Sequence, residues 1–283
     1  MAHLILQAPH LEAAHIETIA ALVSADGIQE LSPTAVRVLG ADDSEKAGVH
    51  ALCRRVGMDY AFLDSIRLLR ECRILAMDMD STIINIECID EIADMAGLKA
   101  EVSAITAAAM RGEIADFSES LTRRVALLEG VSADALEEVY TRRLALNPGA
   151  ERLATVAHQH GLTTMLVSGG FTFFAERVAQ RLALKEVHSN VLEIVDGRLT
   201  GRVLGNIVDG AAKAAHLQAL AQRLDAAPEQ IIAIGDGAND LPMLSLAHFS
   251  VAYRAKPIVQ EQARYALTVA PLDGVLNWFR MSH

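Results

Sequence analysis

The feature that most constrains this chain is Asp78-Met79-Asp80-Ser81-Thr82, placed directly after Cys72-Arg73-Ile74-Leu75-Ala76-Met77. The preceding run is short and largely apolar and reads as a buried strand. Two carboxylates therefore stand two residues apart where a strand opens into a loop. Desolvation and mutual repulsion both penalise that placement unless chemistry or a cation requires it. The pattern suits a nucleophilic carboxylate, a neighbouring carboxyl that shuttles a proton, and a divalent cation that gathers the negative charge. Asp-x-Asp also occurs in calcium loops and solvated turns, so the pair alone does not decide the matter.

Three further segments bear on it. In Thr163-Thr164-Met165-Leu166-Val167-Ser168-Gly169-Gly170-Phe171, an apolar strand ends in Ser-Gly-Gly, and a helical pattern follows over 173–184. Backbone amides at a helix N-terminus beside glycines can cradle a phosphate, although Ser and Gly are also common in plain turns. In Ile231-Ile232-Ala233-Ile234-Gly235-Asp236-Gly237-Ala238-Asn239-Asp240, a second buried strand ends in acidic residues. Asp236 suits ligation of a hard cation, and Asp240 suits orienting its neighbours from behind; the alternative is an ordinary Gly/Asn/Asp turn. Lys213 lies between these two segments, flanked by alanines. A lone helical Lys is usually solvated, but here a cation that neutralises a bound phosphoryl group is the other reading.

In this order and spacing, Asp78 to Thr82, Ser168, Lys213 and Gly235 to Asp240 resemble the four motifs of the haloacid dehalogenase-like phosphotransferases. Glu87 to Ala93, Met110-Arg111-Gly112, Phe117, Arg123-Arg124-Val125 and Glu193 to Gly201 are similar to the substrate-selecting segments of the phosphoserine phosphatases within that superfamily. The resemblance spans about residues 70 to 283. The run from Met110 to Phe117 departs from the family pattern by about one extra residue, which loosens the alignment of Met110.

The resemblance implies an Mg²⁺-dependent hydrolysis of O-phosphoserine to serine and phosphate, the last step of serine biosynthesis. Asp78 would attack phosphorus to form an aspartyl-phosphate. Asp80 would protonate the departing serine oxygen and then deprotonate the hydrolytic water. Asp78, Asp80 (through its backbone carbonyl) and Asp236 would hold the metal. Ser168, Gly169, Gly170 and Lys213 would hold the phosphoryl oxygens, with Asn239 and Asp240 completing the loop. Glu87 would receive the substrate ammonium and Arg124 its carboxylate, while Met110 and Phe117 close the pocket. Alternatives are a superfamily phosphatase for another small phosphate, which would lack the Glu87–Arg124 pair, and an amino-acid-sensing protein with a degenerate core.

Composition excludes several other classes. A net charge of −11 argues against a nucleic-acid surface, where Lys and Arg cluster. No apolar run is long enough to span a bilayer. The start of the chain lacks the basic flank and apolar core of a secretion signal. Cys53, Cys72 and Cys88 are odd in number and lack metal-ligand spacing, as expected of reduced cytoplasmic thiols.

The expected fold class is α/β. A doubly wound parallel sheet forms the haloacid dehalogenase-like core (71–86 and 147–283), with an inserted helical cap (87–146) and a small N-terminal α+β module (1–70). The module's pattern predicts strands at 3–7, 34–39 and 59–63 and helices at 12–23 and 44–56. In this family such a module resembles the ACT domain. Dimerisation or packing suits it as well as ligand sensing, so a homodimer is an open expectation. The cap pattern predicts four helices, and Glu193 to Val203 predicts a hairpin turning at Asp196-Gly197.

Overall fold

The structure, a computed structural model, describes residues 2–111, 113, 114 and 116–281. The chain begins with β1 (Ala2–Gln7), α1 (Ala13–Leu22), β2 (Gly27–Ser32), β3 (Ala35–Ala41), α2 (Lys46–Val56) and β4 (Asp59–Leu63). The four strands form an antiparallel sheet in the order β2-β3-β1-β4. Strand β2 is a correction to the sequence reading, which left 27–32 without an element. It lies at the sheet edge with half its residues exposed, including Ile28, and none buried, so it carries no inward apolar alternation to reveal it.

The chain then enters β5 (Ile74–Met77), the central strand of the second sheet. Among the described residues, four helices of the insertion follow: α3 (Cys88–Met95), α4 (Lys99–Met110), α5 (Phe117–Ala126) and α6 (Asp134–Arg142). The chain returns through α7 (Ala150–Gln159), β6 (Thr163–Phe171), α8 (Thr172–Leu182), β7 (Glu186–Val195), β8 (Arg198–Leu204) and α9 (Gly210–Arg223). It closes with β9 (Ile231–Gly235), α10 (Leu241–Leu244), β10 (Phe249–Tyr253), α11 (Pro257–Gln262) and β11 (Tyr265–Leu267).

The order β11-β10-β9-β5-β6-β7-β8 is parallel except for the edge hairpin of β7 and β8. Alternation along β5 builds two apolar layers. Ile74 and Ala76 pack with Leu217, Leu220 and Met243, whereas Leu75 and Met77 join Leu153, Phe174 and Val178 on the other side. Both faces of the central strands are thus covered, which is why they read as continuous apolar runs. The hairpin turns at Asp196 (φ 51°) and Gly197 (φ 74°), the backbone sign a two-residue turn requires.

The helical insertion is tied at its neck. Asn85 N–H donates to Ala145 O, and Asn147 N–H to Ile83 O. The buried Asn147 amide also donates to the carbonyls of Thr82 (2.8 Å) and Ile84 (2.9 Å), clamping the loop that carries the acidic pair.

The N-terminal sheet rests on the larger one. Ile5, Ala61 and Leu63 share an apolar cluster with Leu69, Leu272 and Trp278. The buried Asp59 carboxylate accepts three backbone N–H groups, from Thr268, Val269 and Ala270, at 2.8, 3.0 and 2.8 Å. Asp59→Ala strands those donors in a dry seam and is expected to lower stability by about 3 kcal/mol. A urea midpoint unchanged from the parent would contradict this.

Candidate active site

The carboxyl ends of β5, β6 and β9 converge, and each carries one of the sequence segments singled out above. Asp78 N–H donates to Ile234 O, so the first acidic residue still follows the sheet. The chain then turns sharply, with Ser81 at φ 56°, a left-handed conformation that costs a non-glycine residue energy.

Lys213 is 0% exposed. Its ammonium donates to Asp78 Oδ1 and Asp240 Oδ1, both at 2.7 Å. Of the two sequence readings for this residue, the solvated-face one is therefore wrong, because the helix places Lys213 on its inner side. Both oxygens of Asp240 are engaged, since its Oδ2 accepts from the N–H groups of Asp236 (3.0 Å) and Gly237 (2.9 Å). It orients Lys213 and the β9 loop together. Gly235 is required here, since a Cβ would lie 2.5 Å from the Asp240 carboxyl carbon. Thr82 Oγ1 donates to Asp236 Oδ1 at 3.0 Å, linking the two acidic loops.

The carboxylates of Asp78, Asp236 and Asp240 each place an oxygen within 4.8 Å of the others. One ammonium cannot balance three carboxylates, and the donors are all hard oxygens, so the cluster fits a divalent cation. With Asp240 already committed to hydrogen bonds, Asp78 and Asp236 are the members able to ligate one. The Asp80 carboxylate lies outside this cluster. It faces Gly170, where a Cβ would come within 2.8 Å of Asp80 Oδ2 and 3.1 Å of Ser168 Oγ.

Burial and crowding set the protonation of the group. Burial, then the Asp240 charge, pushes Asp78 up to about 7 against the pull of Lys213. Burial, then Asp78 and Asp240, pushes Asp236 up to about 8. Asp80 is raised well above the usual carboxylate range by burial, then by Glu87 and Asp78. Burial works against the Lys213 ammonium, but Asp240 and Asp78 outweigh it and raise its pKa. A metal must displace protons held on Asp78 and Asp236. Its affinity is therefore expected to rise between about pH 6 and 8, roughly tenfold per unit where one proton is displaced. Calorimetric titration of the metal-free protein checks this; a constant Kd across that range would contradict it.

Ser168 is buried, and its hydroxyl accepts the Gly170 N–H at 2.9 Å. The sequence reading put Ser168-Gly169-Gly170 in the turn that opens a helix. The structure instead extends β6 through all three to Phe171, with a register shift after Val167, and α8 begins at Thr172. Pairing with β7 explains the extension: Phe171 pairs with Asn190, whose Nδ2 donates to Gly169 O at 2.8 Å. The absent Cβ at Gly169 leaves room for the Phe117 ring, whose Cζ would lie 2.5 Å from it. Phe117 thus reaches from the helical insertion onto the strand end.

Glu87 begins α3 and accepts Ser81 Oγ at 2.7 Å. Part of its surface is open to solvent. Burial raises its pKa, while Ser81, Lys256 and Arg124 oppose that shift. Arg124, half-buried on α5, donates from Nε to Ser120 O at 3.3 Å. Burial lowers its pKa, and Asp90, Glu87 and Asp80 pull it back up, so Arg124 faces the acidic site. Asn239 sits in the β9 loop, where its Oδ1 crowds the Gly237 Cβ position. Met110 ends α4, and its side chain lies outside the described residues.

Sequence reasoning assigned no role to Ser81, Thr82, Asn147 or Asp90. Thr82 stood inside the first motif, and its hydroxyl was the only available signal. Asn147 was only the first residue of the core segment expected at 147–283.

Comparison with known proteins follows the geometry. Residues 75–245 match the haloacid dehalogenase-like hydrolase family model. Residues 4–49 match a separate model described as a domain of unknown function (DUF4072). A phosphoserine phosphatase of Polaromonas sp. is 55% identical over 213 residues, covering 74% of this chain and 90% of that protein. A crystal structure of a haloacid dehalogenase family hydrolase from Salmonella enterica serovar Typhi superposes with a TM-score of 0.88 at 30% identity, covering 99% of both chains. A phospho-aspartyl intermediate analogue of a phosphoserine phosphatase superposes at 0.69 with 34% identity, covering 74% of this chain and 99% of that one.

Proposed function

The chain belongs to the haloacid dehalogenase-like hydrolases and, within them, to the phosphoserine phosphatases, and from that membership we propose how its own residues hydrolyse O-phosphoserine to serine and phosphate. Phosphate monoesters are inert enough to demand accelerations up to about 10²¹, and a two-step displacement divides the barrier. An Asp78 carboxylate oxygen attacks phosphorus, the P–O bond to serine breaks, and the Asp80 carboxyl protonates the departing oxygen. The Asp80 carboxylate then takes a proton from water, whose oxygen attacks the aspartyl-phosphate and releases phosphate and free Asp78. The raised pKa of Asp80 keeps a proton available for the first step.

Lys213, Ser168 and the Gly169 and Gly170 amides hold the phosphoryl oxygens. Asn239 and Asp240 keep the β9 loop in position. Asp78, Asp236 and the Asp80 backbone carbonyl would hold Mg²⁺, whose chemistry there is to offset charge on the transferring phosphoryl group. The observation that carries this reading is the buried Asp78–Lys213–Asp240 ion network beside a second acidic loop.

The same proposal divides the chain as an ACT-like module (1–70), a catalytic core (71–86 and 147–283) and a cap (87–146). It puts the enzyme in the cytoplasm; three buried free cysteines suit a reducing compartment, and no helix among the described residues is long and apolar enough to cross a membrane.

Selectivity falls to the insertion. Glu87 meets the substrate ammonium and Arg124 its carboxylate, for which a guanidinium fork is suited. Phe117 and Met110 close over the ester. Arg124→Lys is expected to raise KM for O-phosphoserine about 10- to 100-fold, while turnover of p-nitrophenyl phosphate stays within a few fold. Equal losses on both substrates would rule out carboxylate recognition by Arg124. A parent enzyme that prefers phosphosugars to O-phosphoserine would overturn the substrate assignment.

A further inference from the structure

The N-terminal sheet holds a cation that the phosphatase chemistry does not use. Arg37 of β3 pairs across strands with Ile5 of β1 and Gln29 of β2, and directly opposed residues share a face. Ile5 is fully buried in the cluster that joins this sheet to the larger one. Arg37 therefore points into the seam, and only 7% of it is exposed. Its Nη1 donates to Gln29 Oε1 at 3.2 Å. Its Nε is buried with no hydrogen-bond partner, and no carboxylate pairs with the guanidinium among the described residues.

The charged group that bears on it, Arg280, has the same sign. Arg37 acts on His3, two residues before Ile5 on the same face of β1, and Arg280 acts on Arg37. Arg280 is fixed beside the seam by backbone bonds to Arg67 and Leu69. Gln7, on the same face of β1, accepts Asn277 Nδ2 at 2.8 Å, and its own buried Nε2 donates to nothing. Two buried donors, Arg37 Nε and Gln7 Nε2, thus lie on this face of the sheet without a hydrogen-bond partner.

A buried charge is tolerated when it is paired, and costly when it is not. Here the counter-charge is missing from the described chain, and the unused Nε–Nη2 edge of Arg37 is the fork that grips a carboxylate or phosphate through two parallel hydrogen bonds. We propose that the seam between the N-terminal sheet and the C-terminal segment binds a small oxyanion, a carboxylate or a phosphate, on that edge of Arg37, with Arg280 adding charge. The site is separate from the acidic cluster and has the opposite sign.

Nitrogen–proton correlation spectra of the full-length protein test this through the Arg37 Nε–H signal. Loss of one signal in Arg37→Gln identifies it; if that variant does not fold, Arg37→Lys or triple-resonance assignment does so. Acetate and inorganic phosphate are titrated separately at matched ionic strength, with chloride as the control. The Arg37 signal is expected to move saturably with at least one oxyanion and to stay still in chloride. Movement with acetate alone identifies a carboxylate ligand; movement with phosphate alone identifies a phosphoryl ligand. Arg280→Gln is expected to weaken the response several-fold while leaving phosphatase turnover unchanged. An Arg37 signal that ignores both oxyanions, or follows chloride equally, overturns the proposal and leaves Arg37 as a side chain covering the seam.

Discussion

Asp78→Asn is expected to lose at least about 10⁴-fold in kcat on O-phosphoserine, because the variant keeps the shape of the site but not the proposed nucleophile. The parent, mixed with O-phosphoserine and quenched in acid, should carry a phosphate label that hydroxylamine removes; the variant should carry none. The amide also leaves Lys213 with one carboxylate partner instead of two. Folding should survive, because Asp240 still holds the ammonium. Residual turnover near the parent rate would eliminate the covalent route, and an unlabelled parent would point to direct attack by water.

Lys213→Met is expected to have the largest effect on stability. It removes the ammonium hydrogen-bonded to Asp78 and Asp240, both buried, and leaves their charges uncompensated. Breaking a buried ion pair from one side costs about 3–5 kcal/mol. Activity should fall with it, since the same ammonium is proposed to hold the phosphoryl group. The sign of the pH dependence separates this from simple cavity formation. Asp78 and Asp236 already have folded pKa values raised to about 7 and about 8. In the metal-free protein their contribution to stability is full below the unfolded carboxylate pKa and is lost as pH rises through those values. Removing the ammonium raises Asp78 further, so the deficit of the variant should grow toward about pH 8 and shrink toward about pH 5. Chemical denaturation in the presence of a chelator measures it. A deficit independent of pH would mean that packing, not charge, is what Lys213 provides.

The ends of the core strands were legible because their signals are local. An apolar run followed by Asp-x-Asp, or by Gly-Asp-Gly, changes character within a few residues, and that change marks where the backbone leaves the sheet. The helical insertion was legible for the same reason, through apolar spacing along each helix. Strand β2 was not, because an edge strand with a solvated face has no such pattern. The Ser-Gly-Gly segment was recognised but assigned to the wrong side of the strand–helix boundary. What extends β6 is a bond from Asn190, 21 residues later, and no local propensity encodes that.

From sequence alone came the candidate reactive side chains and their order, since residue type and strand punctuation are properties of neighbouring positions. Tertiary structure decided which charges meet. Lys213 joins Asp78 across 135 positions and Asp240 across 27, and Thr82 joins Asp236 across 154. It also decided that Asp59 grips a loop more than 200 positions away and that Arg37 has no counter-ion among the described residues. Electrostatic energy depends on distance and burial in three dimensions, and neither is a function of separation along the chain.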